Sequence, residues 1–136
     1  MKQTIKLNET QLRSLIKESI KMVLKESGEK NPVFTVDGFD IMQEEDIDDM
    51  QITGQIYYSE EEAIEAARKG AKQYANRDDY GVILFTVYAG EYQLPSGDIY
   101  GEPYDIYTVS NSDKQTTMAA RKQTGYVSLE VNEYVG

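Results

Sequence analysis

The sequence predicts an α+β domain carrying a separate helix in front of it, and three observations lead there. Residues 80–89, YGVILFTVYA, are almost wholly apolar and β-rich, as a strand buried on both faces of a sheet must be. Two stretches of helical pattern, 59–74 and 112–124, alternate with shorter strand-like runs. Residues 7–26, LNETQLRSLIKESIKMVLKE, form a complete helix design of their own, joined to the rest by a polar connector. With 136 residues the chain suffices for one domain with a real core, so the division expected is residues 1–30, leader helix and linker, and residues 31–136, an acidic α+β domain.

The leader begins where Asn8 can cap the helix, with Gln11 completing a capping box and Leu7 facing Leu12 as a hydrophobic staple. Leu12, Leu15, Ile16, Ile20, Val23 and Leu24 then recur at helical spacing as one apolar stripe, and Arg13, Lys17, Lys21 and Lys25 stand four apart along its flank. Ser27-Gly28 supplies the stop.

Val33-Phe34-Thr35-Val36 reads as a strand ended by an Asp37-Gly38 turn. Residues 40–50, DIMQEEDIDDM, hold six carboxylates and read as an acidic loop, and Gln55-Ile56-Tyr57-Tyr58 as a second short strand. Ser59 opens a helix with three glutamates at its positive end, and Ala63, Ile64, Ala67, Ala71 and Tyr74 are its buried face. After the central strand, Leu94-Pro95-Ser96-Gly97 is a hairpin tip and residues 104–109 return as a strand. Ser112 with Gln115 caps the next helix, which stops at Gly125, and the alternation of Val127, Leu129 and Val131 with Ser128, Glu130 and Asn132 marks the last strand. The order is β-α-β-β-α-β with one extra strand, which is ferredoxin-like: an antiparallel sheet with two helices on one face and an open opposite face. The apolar leader is a natural mate for that open face.

Charge narrows the function. Of the formal net charge of −10, residues 1–30 contribute +3, with seven basic residues against four acidic, and residues 31–136 contribute −13, with seven against twenty. So acidic a body repels phosphate backbones, which argues against nucleic-acid binding through it. Cysteine and histidine are both absent, removing disulfides, thiolate nucleophiles and the usual base for a serine nucleophile. No phosphate-loop or nucleophile-elbow motif occurs, and no apolar run reaches the about 20 residues that cross a bilayer. The acidic loop lacks the glycine and terminal glutamate of a calcium-binding loop, so no metal and no cofactor are expected. Carboxylate-pair catalysis ranks last among the readings, because among twenty acids some pair always meets in space, and no catalytic residue is assigned. Seven tyrosines, Tyr57, Tyr58, Tyr88, Tyr92, Tyr100, Tyr104 and Tyr107, could build a stacking platform, but a platform for nucleic acid needs a cationic track that this body lacks. Sheet-edge packing and a protein interface both suit them better.

The leader therefore carries the functional expectation: a partner-binding helix engaging through Leu12, Leu15, Ile16, Ile20, Val23 and Leu24, flanked by Arg13, Lys17 and Lys21. Its pattern resembles a leader that opens many otherwise unrelated proteins of tailed bacteriophages, including crAss-like gut phages, and of their Bacteroidales hosts. The resemblance covers about the first 26 residues and none of the body. It implies an address label: a helix that docks on a phage assembly partner and is then cut by a protease acting after Glu in a Leu/Ile-x-Glu context. Such triplets occur at Leu7-Asn8-Glu9, Ile16-Lys17-Glu18 and Leu24-Lys25-Glu26 and nowhere in residues 31–136, which makes Leu24 and Glu26, beside the linker, the candidate processing site. The function so implied is a non-enzymatic virion-associated or cargo protein, found in the virion or the bacterial cytoplasm. The alternative is a cytoplasmic protein-binding or regulatory domain, or an acidic inhibitor, with the leader packed on its own sheet.

Overall fold

A computed structural model describes residues 31–75, 81–128 and 130–136. The described residues are α+β, with a five-stranded mixed sheet and two helices in the order β1 (Asn31–Asp40), β2 (Glu45–Ile47), α1 (Glu60–Gln73), β3 (Ile83–Gln93), β4 (Ile99–Ser110), α2 (Lys114–Thr124) and β5 (Glu133–Tyr134). The sheet order is β2-β1-β3-β4-β5. Ile41 N–H donates to Val82 O at 3.0 Å, while Gly38, three residues earlier, lies against Phe85, three residues later, so β1 and β3 run in opposite directions. The sheet is not wholly antiparallel, because β5 joins β4 in parallel. Residues 33–90 and 103–136 make up one compact unit, and the outer end of the β3–β4 hairpin, Glu91–Glu102, falls in a second.

Alternation along β3 distributes the core between its two faces. Ile83, Phe85 and Val87, with Val36 and Val109, pack against Ala63, Ala67, Ala71 and Tyr74 of α1. Leu84 clusters instead with Ile41, Val82 and Ala120 of α2, joined at the margin by Phe39, Tyr126 and Val131. The two helices thus lie on opposite faces, not on one face as the sequence predicts. A strand apolar on both sides demands cover on both sides, and α2 provides on the second what the leader was expected to provide.

Local rules account for both helices. Ser59 caps α1 by accepting from Glu62 N–H at 3.1 Å, and Glu60, Glu61 and Glu62 occupy its positive end. The cap of α2 is Asp113, which accepts from Thr116 N–H at 2.7 Å, rather than Ser112, whose hydroxyl is turned to Asn111 Oδ1. Gly125 ends α2 in the left-handed conformation, as predicted.

Gly38 does not end β1 in a turn. The strand runs through it because a Cβ there would stand 2.8 Å from Phe85 Cε1, and a Cβ at Gly70 of α1 would stand 2.9 Å from the same atom. The two glycines make the space that holds the Phe85 ring. The run at 55–58 shrinks to one bridge, Phe34 with Tyr57. The last strand is later and shorter than predicted, since Asn132 stops the irregular chain before it by exchanging bonds with Thr108: Asn132 N–H to Thr108 O, and Thr108 N–H to Asn132 Oδ1, both 2.8 Å.

Candidate functional site

The leader residues singled out in the sequence, Leu12, Arg13, Leu15, Ile16, Lys17, Ile20, Lys21, Val23 and Leu24, with the processing pair Leu24 and Glu26, lie outside the described residues. The acidic segment is described in full and is not one loop. Asp40 is 1% exposed, and its carboxylate is a backbone anchor: Oδ1 accepts from Met42 N–H at 2.9 Å and Gln43 N–H at 3.1 Å, and Oδ2 from Gly81 N–H at 3.0 Å. Three backbone donors supply the hydrogen bonds that a buried carboxylate requires. They also explain Gly81, where a Cβ would stand 2.8 Å from Asp40 Oδ1.

Asp49 is a turn builder. Its Oδ1 accepts from Gln51 N–H at 3.0 Å, its Oδ2 from Tyr74 Oη–H at 3.3 Å, and its backbone exchanges bonds with the Thr53 hydroxyl. Ile41 within the acidic run and Ile52 just after it are buried, and Glu44, Glu45, Asp46 and Asp48 are exposed. Among the described residues no three His, Cys, Asp or Glu side chains converge to hold a metal ion.

The tyrosines serve separate purposes. Tyr57 donates to Ile52 O at 2.8 Å and pins the turn above α1. Tyr88 is half-buried, and burial, with the Asp37 carboxylate next in weight, pushes its hydroxyl above the ordinary tyrosine range. Tyr92 and Tyr100 pair within the hairpin end at 5.9 Å between ring centroids. Tyr58 and Tyr104 are each 60% exposed, on the segment before α1 and on β4.

One polar constellation that no sequence pattern signals ties the C-terminal strand to α1. Arg68 Nε donates to both oxygens of Glu133, at 2.8 and 2.9 Å, Tyr107 Oη–H donates to Glu133 Oε1 at 2.7 Å, and the Arg68 guanidinium lies 5.9 Å from the Tyr107 ring centroid. Burial alone would raise the Glu133 pKa, but the bonds from Arg68 and Tyr107 outweigh it and hold the carboxyl below the ordinary glutamate range. The separation of 65 residues between Arg68 and Glu133 hides the pair from any local motif.

A second hub is Asn111. Its Oδ1 accepts from Ile83 N–H at 2.9 Å and the Ser112 hydroxyl at 3.0 Å, and its Nδ2 donates to Tyr74 O at 3.1 Å and Gly81 O at 3.2 Å. One side chain therefore joins the ends of α1, β3 and β4. The Arg68–Glu133–Tyr107 group and Asn111 are joints: each links elements that are distant in the chain through bonds to protein partners. Compared with known proteins, the chain matches no family model, no curated protein and no solved structure. Among the described residues no helix is long and apolar enough to cross a membrane.

Proposed function

We propose that the chain is a non-enzymatic virion-associated or cargo protein of a tailed phage, whose leader helix docks on an assembly partner and whose acidic body acts afterwards. The observation that supports this reading most is the placement of α2. The sheet face for which the leader was the natural mate already carries a helix from the body, with Leu84 and Ala120 in one cluster. An apolar stripe that its own sheet does not need is available to another protein. Of the ferredoxin-like plan we retain the order of elements along the chain. In space β1 and β3 are direct neighbours, as are β4 and β5.

The second reading, an acidic regulatory or inhibitory domain, is favoured by the exposed carboxylates Glu44, Glu45, Asp46 and Asp48 and by the separate group of three glutamates in the first turn of α1. Such a domain would bind a cationic protein with strong salt dependence.

Deleting residues 1–26 separates the two. Under the cargo reading the truncated body unfolds at nearly the temperature of the full chain. If the leader instead completes the core, six large apolar groups lose about 1.5–3 kcal/mol each and the domain collapses. Peptide mapping of the protein in purified particles, with cytosol as control, should find it enriched in particles with a new N-terminus at Ser27. A full-length chain confined to the cytosol refutes the cargo reading.

A further inference from the structure

We infer that the outer edge of β4 between Pro103 and Tyr107 accepts an added strand, an extended segment of a partner protein bearing lysine or arginine. The inference does not depend on the leader. The parallel ladder to β5 is short: Val109 pairs with Glu133 and Ser110 with Tyr134, and Asn132 closes it at Thr108. Hydrogen-bonding sides alternate along a strand, and Thr108 and Ser110 turn theirs toward β5. Ile106 and Tyr104, in the same phase, therefore present N–H and C=O groups outward, where among the described residues no backbone meets them. Pro103 is in the opposite phase and takes no donor from this edge. What remains is a template for one more strand, in line with β5.

Charge selects the occupant. Residues 81–113 contain no lysine or arginine, whereas edges that must stay single are commonly guarded by lysine. They contain Glu91, Asp98, Glu102, Asp105 and Asp113, and Asp105 is exposed within the edge itself. A second copy would bring carboxylate to carboxylate, whereas a basic segment brings opposite charges into cross-strand register. Tyr104, largely exposed beside Asp105, adds a ring face for a cationic side chain.

The test uses the full chain labelled with nitrogen-15 and three synthetic probes: a decapeptide alternating lysine and threonine, its glutamate–threonine counterpart, and the lysine peptide methylated at alternate backbone nitrogens. The first should slow exchange of the Tyr104 and Ile106 amides by about tenfold, and the other two should leave them unchanged. Tyr104→Pro removes one edge donor and should abolish the protection. Asp105→Lys, a surface change that leaves the fold intact, should transfer it to the glutamate peptide. Equal binding of the methylated peptide, protection at other amides only, or undiminished protection in Tyr104→Pro overturns the inference. So does protection before any peptide is added: rising with protein concentration, it identifies a second copy as occupant, and lost on deleting residues 1–30, it identifies the chain's own N-terminal segment.

Discussion

The two faces of β3 are closed by different chemistry. Toward α1 the contacts are dry: Phe85 between Ile83 and Val87, met by the three alanines Ala63, Ala67 and Ala71 and by Tyr74. Toward α2 the apolar cluster is small, and it is supplemented by hydroxyl pairs, Thr86 with Thr108 at 3.1 Å and Ser110 with Thr117 at 2.6 Å, all four buried. Burial of apolar area is the larger and less directional term, whereas a buried hydroxyl pair contributes little net energy but is costly to break unevenly. The α1 face therefore carries most of the stability, and the α2 face fixes how the second helix is seated.

The most severe test of that contrast is Phe85→Ala, which should cost about 3–5 kcal/mol by denaturant unfolding, since a ring enclosed by backbone leaves a cavity its surroundings cannot fill. A cost below that of the hydroxyl substitutions would reverse the assignment. Gly70→Ala comes next and pits two effects against each other. Helix propensity gains about 1 kcal/mol, but overpacking against the Phe85 ring costs about 1–3 kcal/mol, so net destabilisation is expected. A more stable Gly70→Ala protein would mean that the ring can yield.

On the other face, Thr86→Val should cost about 1–3 kcal/mol by stranding the buried Thr108 hydroxyl, and adding Thr108→Val should recover most of it. Without recovery in the double variant, the pair would have to be a genuine source of stability. Asp113→Ala should remove the cap of α2, observable as early fraying of its first turn in hydrogen exchange.

The smallest effect concerns the joint between α1 and β5. Because the folded Glu133 pKa lies below its ordinary value, its contribution is present at neutral pH and is lost as pH falls through the folded value. Asp113, lowered by its bond from Thr116 N–H, acts in the same direction. Asp37, raised by burial and by the Asp46 carboxylate, acts in the opposite one, gaining stability on protonation. Glu133→Gln should therefore flatten the acid limb of the stability profile without abolishing it. An unchanged limb would show that Arg68 finds no stronger partner in the folded state than in the unfolded chain.

The parts legible in the sequence are those whose cause is local. The central strand announces itself by composition, the Ser59 cap and the Gly125 stop by residues within one turn, and the hairpin tip by Gly97, which adopts positive φ. The parts that were not legible depend on what lies across the sheet. Gly38 beside Asp37 has the signature of a turn, and only Phe85 opposite makes it a packing position. Asp40 sits in an acidic run that reads as solvated, yet backbone donors from two segments bury it. Periodicity states that α2 has a buried side but not which face of the sheet receives it. The alternation of Val127 with Val131 suggested a strand that Asn132 and Glu133 displace toward the C-terminus, because their side chains reach Thr108, Arg68 and Tyr107.

The two glycines at Phe85 also set a clock. One edge of the ring, Cδ1 and Cε1, fills the space that a Cβ would take at both Gly38 and Gly70, with Tyr74 tilted beside it at 5.9 Å between centroids. A half-turn of such a ring sweeps volume that neither neighbour can vacate by changing rotamer, since neither has a side chain to move. The flip must wait until α1 lifts from the sheet, and resonance averaging of the two ring edges then reports how often that seam breathes.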